Sequence, residues 1–132
     1  MDGHSTLTAS KPRPKYLDLT RIRQPVPAVV SILHRISGLA LFLALPFLLY
    51  LFQFALGSPE GFARSRAVLG QPLVKLILIG LLWAFFHHLF AGIRFLLLDV
   101  HVGLELQPAR ASSMLVLAAG ILCALACGVL LW

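Results

Sequence analysis

A hydroxyl donor, an imidazole and a fixed cation share one face of a long apolar run: Ser31, His34, Arg35 and Gly38 stand at i, i+3, i+4 and i+7. Polar side chains are expensive in hydrocarbon, so those that occur there tend to face a bundle interior, a cavity or a bound group. With a helix starting near Ala28, His34 and Arg35 lie roughly 9 to 11 Å into it. A lone arginine at that depth can snorkel to the surface. Histidine has less reach.

The theme repeats in HHLFAGIRFLLLD, where His88, Gly92, Phe95 and Asp99 fall at i, i+4, i+7 and i+11. A glycine one turn from a histidine removes the side chain that would obstruct a flat ligand, as a porphyrin requires. A neutral imidazole also supplies an axial nitrogen to haem iron without burying a charge. The alternative for a single intramembrane histidine is a hydrogen-bonded packing contact. His88 stands about 16 Å from Asp99 along a helix, near mid-membrane. A haem ligated there would turn its propionates toward His34 and Arg35, with Arg94 and His101 on the same side. Arg94 has two other readings, as a boundary residue paired with Asp99 or with phosphate. His87 competes with His88 for iron. Neighbours on a helix face about 100° apart, and periodicity does not choose between them.

The elements that must hold these residues are membrane helices. The 132 residues are 59% apolar and 12% charged, with a mean hydropathy of +0.90, which leaves too little polar surface for a water-soluble domain. Three apolar stretches, about 28–55, 73–100 and 114–132, are each long enough to cross ~30 Å of hydrocarbon. The expected fold class is an all-α membrane protein of three transmembrane helices. Residues 1–27 form a basic N-terminal arm and 28–132 the membrane domain. The links between spans leave no room for a separate extramembrane domain. In the first link, Ser58-Pro59-Glu60 reads as a helix start, giving a short interfacial helix at about 59–69.

The net charge of +6 is a topology signal rather than a nucleic-acid footprint. Lys11, Arg13, Lys15, Arg21 and Arg23 precede the first span, and Arg110 follows the second; Arg64, Arg66 and Lys75 stand on the other side. The N-terminus is expected in the cytoplasm and Trp132 at the opposite interface. The leading segment has no apolar core of the kind a signal peptide needs, so the first span is expected to act as its own insertion signal. Cys123 and Cys127, one turn apart in the third span, read as helix-packing residues.

Taken together, RPKYLDLTRIRQPVPAVVSILHRISG, SPEGF and HLFAGIRFLLLD resemble the cytochrome b membrane-anchor subunit of bacterial succinate dehydrogenase, respiratory complex II. The resemblance spans about 13–132. It rests on SxxHRxS (Ser31 to Ser37) and HxxxGIR (His88 to Arg94), in that order on the first two of three spans. It implies that Ser31 and Arg35 line a ubiquinone site, that His88 is an axial ligand of haem b iron, and that His34 and Arg35 approach the propionates. It also implies partners: a second membrane-anchor subunit that supplies the other haem histidine and completes the bundle, an iron–sulfur subunit and a flavoprotein subunit. Family members often carry histidine directly after GIR, where this chain has Phe95.

The function so implied is electron transfer from the iron–sulfur subunit to ubiquinone, in a multi-pass protein of the bacterial inner membrane that is not catalytic alone. Ser31 would hydrogen-bond a quinone carbonyl, and Arg35 would stabilise the negative charge that develops on reduction. Competing classes are the anchor of a fumarate reductase, a haem-free structural anchor and a proton-relay membrane subunit.

Overall fold

The computed structural model describes residues 23–131, all of whose regular structure is helical. The basic arm up to residue 22 and the expected interfacial Trp132 lie outside the described residues. Helix α1 (Val26–Gly57) runs 32 residues, about 48 Å at 1.5 Å per residue. Pro25 precedes it in extended conformation and Pro27 occupies its first turn, where a missing N–H costs no hydrogen bond.

Helix α2 (Pro59–Leu69) follows one extended residue, Ser58, whose hydroxyl accepts a hydrogen bond from the Gly61 amide at 2.9 Å. This cap, with Pro59 at the first helical position and Glu60 in the first turn, is the start that the sequence pattern predicts. α2 folds back along the end of α1. A methyl group at Gly61 would collide with the carbonyl oxygen of Phe54, so the closeness of the approach requires glycine.

Helix α3 (Pro72–Asp99) ends in a Schellman turn: the Val102 amide donates to Leu97 O at 2.9 Å and the His101 amide to Leu98 O at 3.0 Å. His101 holds the left-handed position, φ 65°, that glycine usually fills. Helix α4 (Leu106–Leu131) starts eight residues before the apolar stretch expected at 114. The segment LQPARASS is too polar to read as a span, yet Pro108 falls in the first turn, where its ring is tolerated.

Early α1 meets late α3, late α3 meets early α4, and Gly128 of α4 meets Ile79 of early α3. Consecutive spans are therefore antiparallel, and all three meet at the core cluster of Val30, Ala91 and Val116. Ala84, His87, Ala91 and Arg94 are buried on α3 and Ser113, Val116, Gly120, Ala124 and Gly128 on α4, so alanine, serine and glycine make up most of the buried positions of these two helices. Membrane helices approach closely through residues of this size. Cys123 and Cys127 are half-buried on α4 with free thiols. Large apolar side chains such as Phe47, Val129 and Leu130 face outward, and the three long helices each have the length and composition to cross a bilayer. The protein is a three-span all-α membrane protein.

Candidate functional site at the crossing of the first and second spans

The crossing of α1 and α3 is built from one motif used twice. Each helix carries HxxxG, His34 with Gly38 and His88 with Gly92, and each glycine receives the other helix's histidine. A methyl at Gly38 would stand 2.7 Å from His88 Cε1 and 3.2 Å from its Nδ1, while one at Gly92 would stand 3.7 Å from His34 Nε2. Gly92 thus makes room for His34. The sequence pattern instead associates that glycine with space beside His88.

The two imidazoles stack face to face, with centroids 4.1 Å apart and planes 6° from parallel. His88 Nδ1 lies 3.0 Å from the main-chain oxygen of His34. As this oxygen is an acceptor only, Nδ1 carries the proton and donates it. Ser37 is buried beside this contact; its hydroxyl donates to the same His34 oxygen at 3.0 Å and lies 3.4 Å from His88 Nδ1. The Nε2 of His88 has no hydrogen bond among the described residues and is not enclosed by protein. Phe95 meets the His34 ring edge-on at 5.1 Å.

The adjacent histidines part company here. His87 is fully buried on the other flank of α3, its backbone 3.4 Å from where a Cβ on Gly120 of α4 would sit. Its ring stacks on Trp83 at 5.3 Å, and neither ring nitrogen has a hydrogen-bond partner among the described residues. Its backbone meets α4 at Gly120, while the Val30 backbone of α1 lies within reach of its ring.

The remaining polar residues fall into two groups. Ser31 is half-buried one turn before His34, whereas Arg35 is exposed, with no hydrogen bond or ion pair among the described residues. Arg35 is not brought to the His34–His88 contact within this chain, although it shares a helix face with His34. Arg94 turns away to α4: its Nε donates to the Ser112 hydroxyl at 3.0 Å and its NH2 to Ala109 O at 3.3 Å. It therefore pairs with neither Asp99 nor the histidine pair. His101 is exposed in the turn beyond α3.

Among the described residues no three His, Cys, Asp or Glu side chains converge as a metal-binding group. The crossing offers His88 Nε2, in a fixed tautomer, beside the stacked His34 ring, together with a serine and an arginine on the same end of α1.

Comparison with known proteins turns this geometry into a family assignment. Residues 9–127, which include both motifs, match the family described as succinate dehydrogenase/fumarate reductase transmembrane subunit. The chain belongs to that family. It is 37% identical over 121 residues to the succinate dehydrogenase cytochrome b556 subunit of Coxiella burnetii, covering 91% of this chain and 97% of that one. Identity to the subunit of the same name from Paracoccus denitrificans is 36% over 112 residues, 85% and 86% of the two chains. The corresponding Rickettsia bellii subunit is 28% identical over 120 residues, 91% of this chain and 90% of the relative. A succinate dehydrogenase transmembrane subunit is part of an enzyme complex and does no catalysis alone. In this transmembrane subunit the matched region holds α1 to α3 whole and most of α4.

Proposed function

We propose that the chain is the haem b- and ubiquinone-binding anchor of a succinate:quinone oxidoreductase of the bacterial inner membrane, with its N-terminus in the cytoplasm. The observation that carries this reading is the state of His88. A donor bond from Nδ1 to the His34 carbonyl fixes the tautomer and leaves the Nε2 lone pair available. That lone pair lies in the ring plane, so the His34 ring stacked on the face does not obstruct it. The donor set thus fits haem iron, for which one neutral imidazole per chain suffices when a second anchor subunit supplies the other. The relatives' name, cytochrome b556 subunit, points to the same group.

Haem b, when bound, accepts and releases single electrons at its iron. The chain's own residues do the rest. His88 would hold the haem iron through Nε2, its ring oriented by the His34 carbonyl, Ser37 and the absence of a side chain at Gly38. His34 and Arg35 supply polar and cationic partners for propionates. Ser31 donates a hydrogen bond to a quinone carbonyl. Arg35, uncommitted to any described residue, offers its charge to the quinone oxygen that gains electron density on reduction. Such a charge acts strongly in a poorly solvated site. The iron–sulfur subunit, which receives electrons from the flavoprotein, docks on the face where α1 begins.

The test is a reduced-minus-oxidised absorbance spectrum of the purified complex. Wild type should show the sharp α-band of a b-type haem with two histidine ligands, and His88→Leu should lose or greatly alter it. An unaltered band in His88→Leu would transfer the ligand role to another residue. Absence of any band in wild type would leave a haem-free anchor.

A further inference from the structure

Three groups from two helices meet in a triangle beside the His34–His88 stack. The main-chain oxygen of His34 lies 3.0 Å from His88 Nδ1 and 3.0 Å from the Ser37 hydroxyl, and those two donors stand 3.4 Å from each other. Ser37 is only 1% exposed. A buried serine that donates to a carbonyl of its own helix is ordinary, and by itself structural. Here the same oxygen also orients the imidazole on α3. As a helical carbonyl it faces the Gly38 amide as well. One oxygen with two lone pairs therefore serves three donors. Each donor draws electron density from it and so weakens its hold on the other two.

Resting on the reading of His88 as the haem ligand, we propose that Ser37 is a positioning residue that sets the redox potential at His88, by limiting how strongly the His34 carbonyl pulls on the Nδ1 proton. A strong acceptor at Nδ1–H makes Nε2 a better electron donor, and a better donor favours the oxidised, more highly charged iron. By occupying part of that acceptor, the Ser37 hydroxyl holds Nε2 to a moderate basicity and keeps the reduced state accessible. Reduction adds one electron at iron, while Nδ1 keeps its proton and Nε2 its bond to the metal. The carbonyl belongs to the main chain and survives every side-chain substitution at position 34. Among the described residues, Ser37 is then the side chain through which this nitrogen is adjusted.

The experiment is a redox titration of the α-band in the purified complex, poised with dithionite and ferricyanide through mediators. Ser37→Ala should keep the band and the haem content. At fixed ambient potential its reduced-to-oxidised ratio should move about three- to tenfold toward the oxidised form, a fall of about 28 to 59 mV for a one-electron couple. Ser113→Ala is the control, because that serine is also buried and donates to its own helix, at 2.7 Å to Ala109 O, away from the His34–His88 contact. Its potential should match wild type. A potential unmoved or raised in Ser37→Ala would overturn the proposal. So would a fall of the same size in Ser113→Ala, which would mark general loosening of the bundle, or loss of the band in Ser37→Ala, which would make the hydroxyl a requirement for binding rather than a control on potential. A band that survives His88→Leu would overturn it one level down, by removing His88 as the ligand.

Discussion

His88 donates its Nδ1 proton to the main-chain oxygen of His34, 3.0 Å away, and so one transmembrane helix sets the orientation of a side chain on the next. The bond uses a backbone acceptor, which mutation of the His34 side chain does not remove. His34→Ala should therefore leave His88 in place as a ligand while removing the stacked ring. The haem band should persist in that variant with a shifted potential, measured by redox titration.

Gly38 and Gly92 look equivalent in sequence and are unequal in space. Gly38→Ala puts a methyl 2.7 Å from His88 Cε1, whereas Gly92→Ala makes an ordinary contact at 3.7 Å with His34 Nε2. Gly38→Ala should cost about 1 to 3 kcal/mol, typical of overpacking, and should lower haem content per polypeptide. Gly92→Ala should be close to wild type in both. Haem extraction and thermal denaturation of the purified complex measure these outcomes.

His87 buries two ring nitrogens without partners among the described residues. An apolar ring of similar size relieves that cost, about 1 to 3 kcal/mol for an unsatisfied buried group. His87→Phe should be as stable as wild type or more so, with an unchanged α-band. His88→Leu should lose the band. Reversal of the two phenotypes would identify His87 as the ligand.

Arg94 ties α3 to α4 through Ser112 and the Ala109 carbonyl, which Ser113 also engages at 2.7 Å. Arg94→Met should lower stability by about 1.5 to 3 kcal/mol, the range for hydrogen bonds from a charged donor. Ser112→Ala should cost about 1 kcal/mol. Both should leave the spectrum of bound haem unchanged, which distinguishes a helix tie from a propionate contact.

Ser31→Ala and Arg35→Leu should slow ubiquinone reduction by about tenfold or more, the scale of losing one donor to a developing anion. Succinate oxidation by a soluble artificial acceptor should stay at the wild-type rate. Equal loss of both activities would point to failed assembly and remove these residues from the quinone site.

The three spans were legible in the sequence because apolar runs of that length have no other stable home. The start of α4 was not, since hydropathy registers the polarity of Gln107, Arg110 and Ser112 and is blind to their helical conformation. The HxxxGIR resemblance singles out His88 over His87, but the physical separation of the two depends on α3 being packed against both α1 and α4. His88 sets its ring against Gly38 of α1 while the backbone of His87 packs on Gly120 of α4, and no single-helix pattern encodes which neighbour lies where. Ser37 was present in SxxHRxS without a role, because a serine can satisfy itself on its own helix; only the crossing shows that it also reaches His88 Nδ1. The exchange of glycines is likewise a property of two helices read together.

That exchange also works as a vertical ruler. Sliding α1 against α3 by a single residue would drive the His88 imidazole out of its notch at Gly38, so the two spans lock at one relative height. The level at which His88 presents Nε2 within the bilayer is then dictated by where Gly38 falls on α1. Moving HxxxG by four positions on both helices should carry the redox centre one turn nearer to, or farther from, its electron donor.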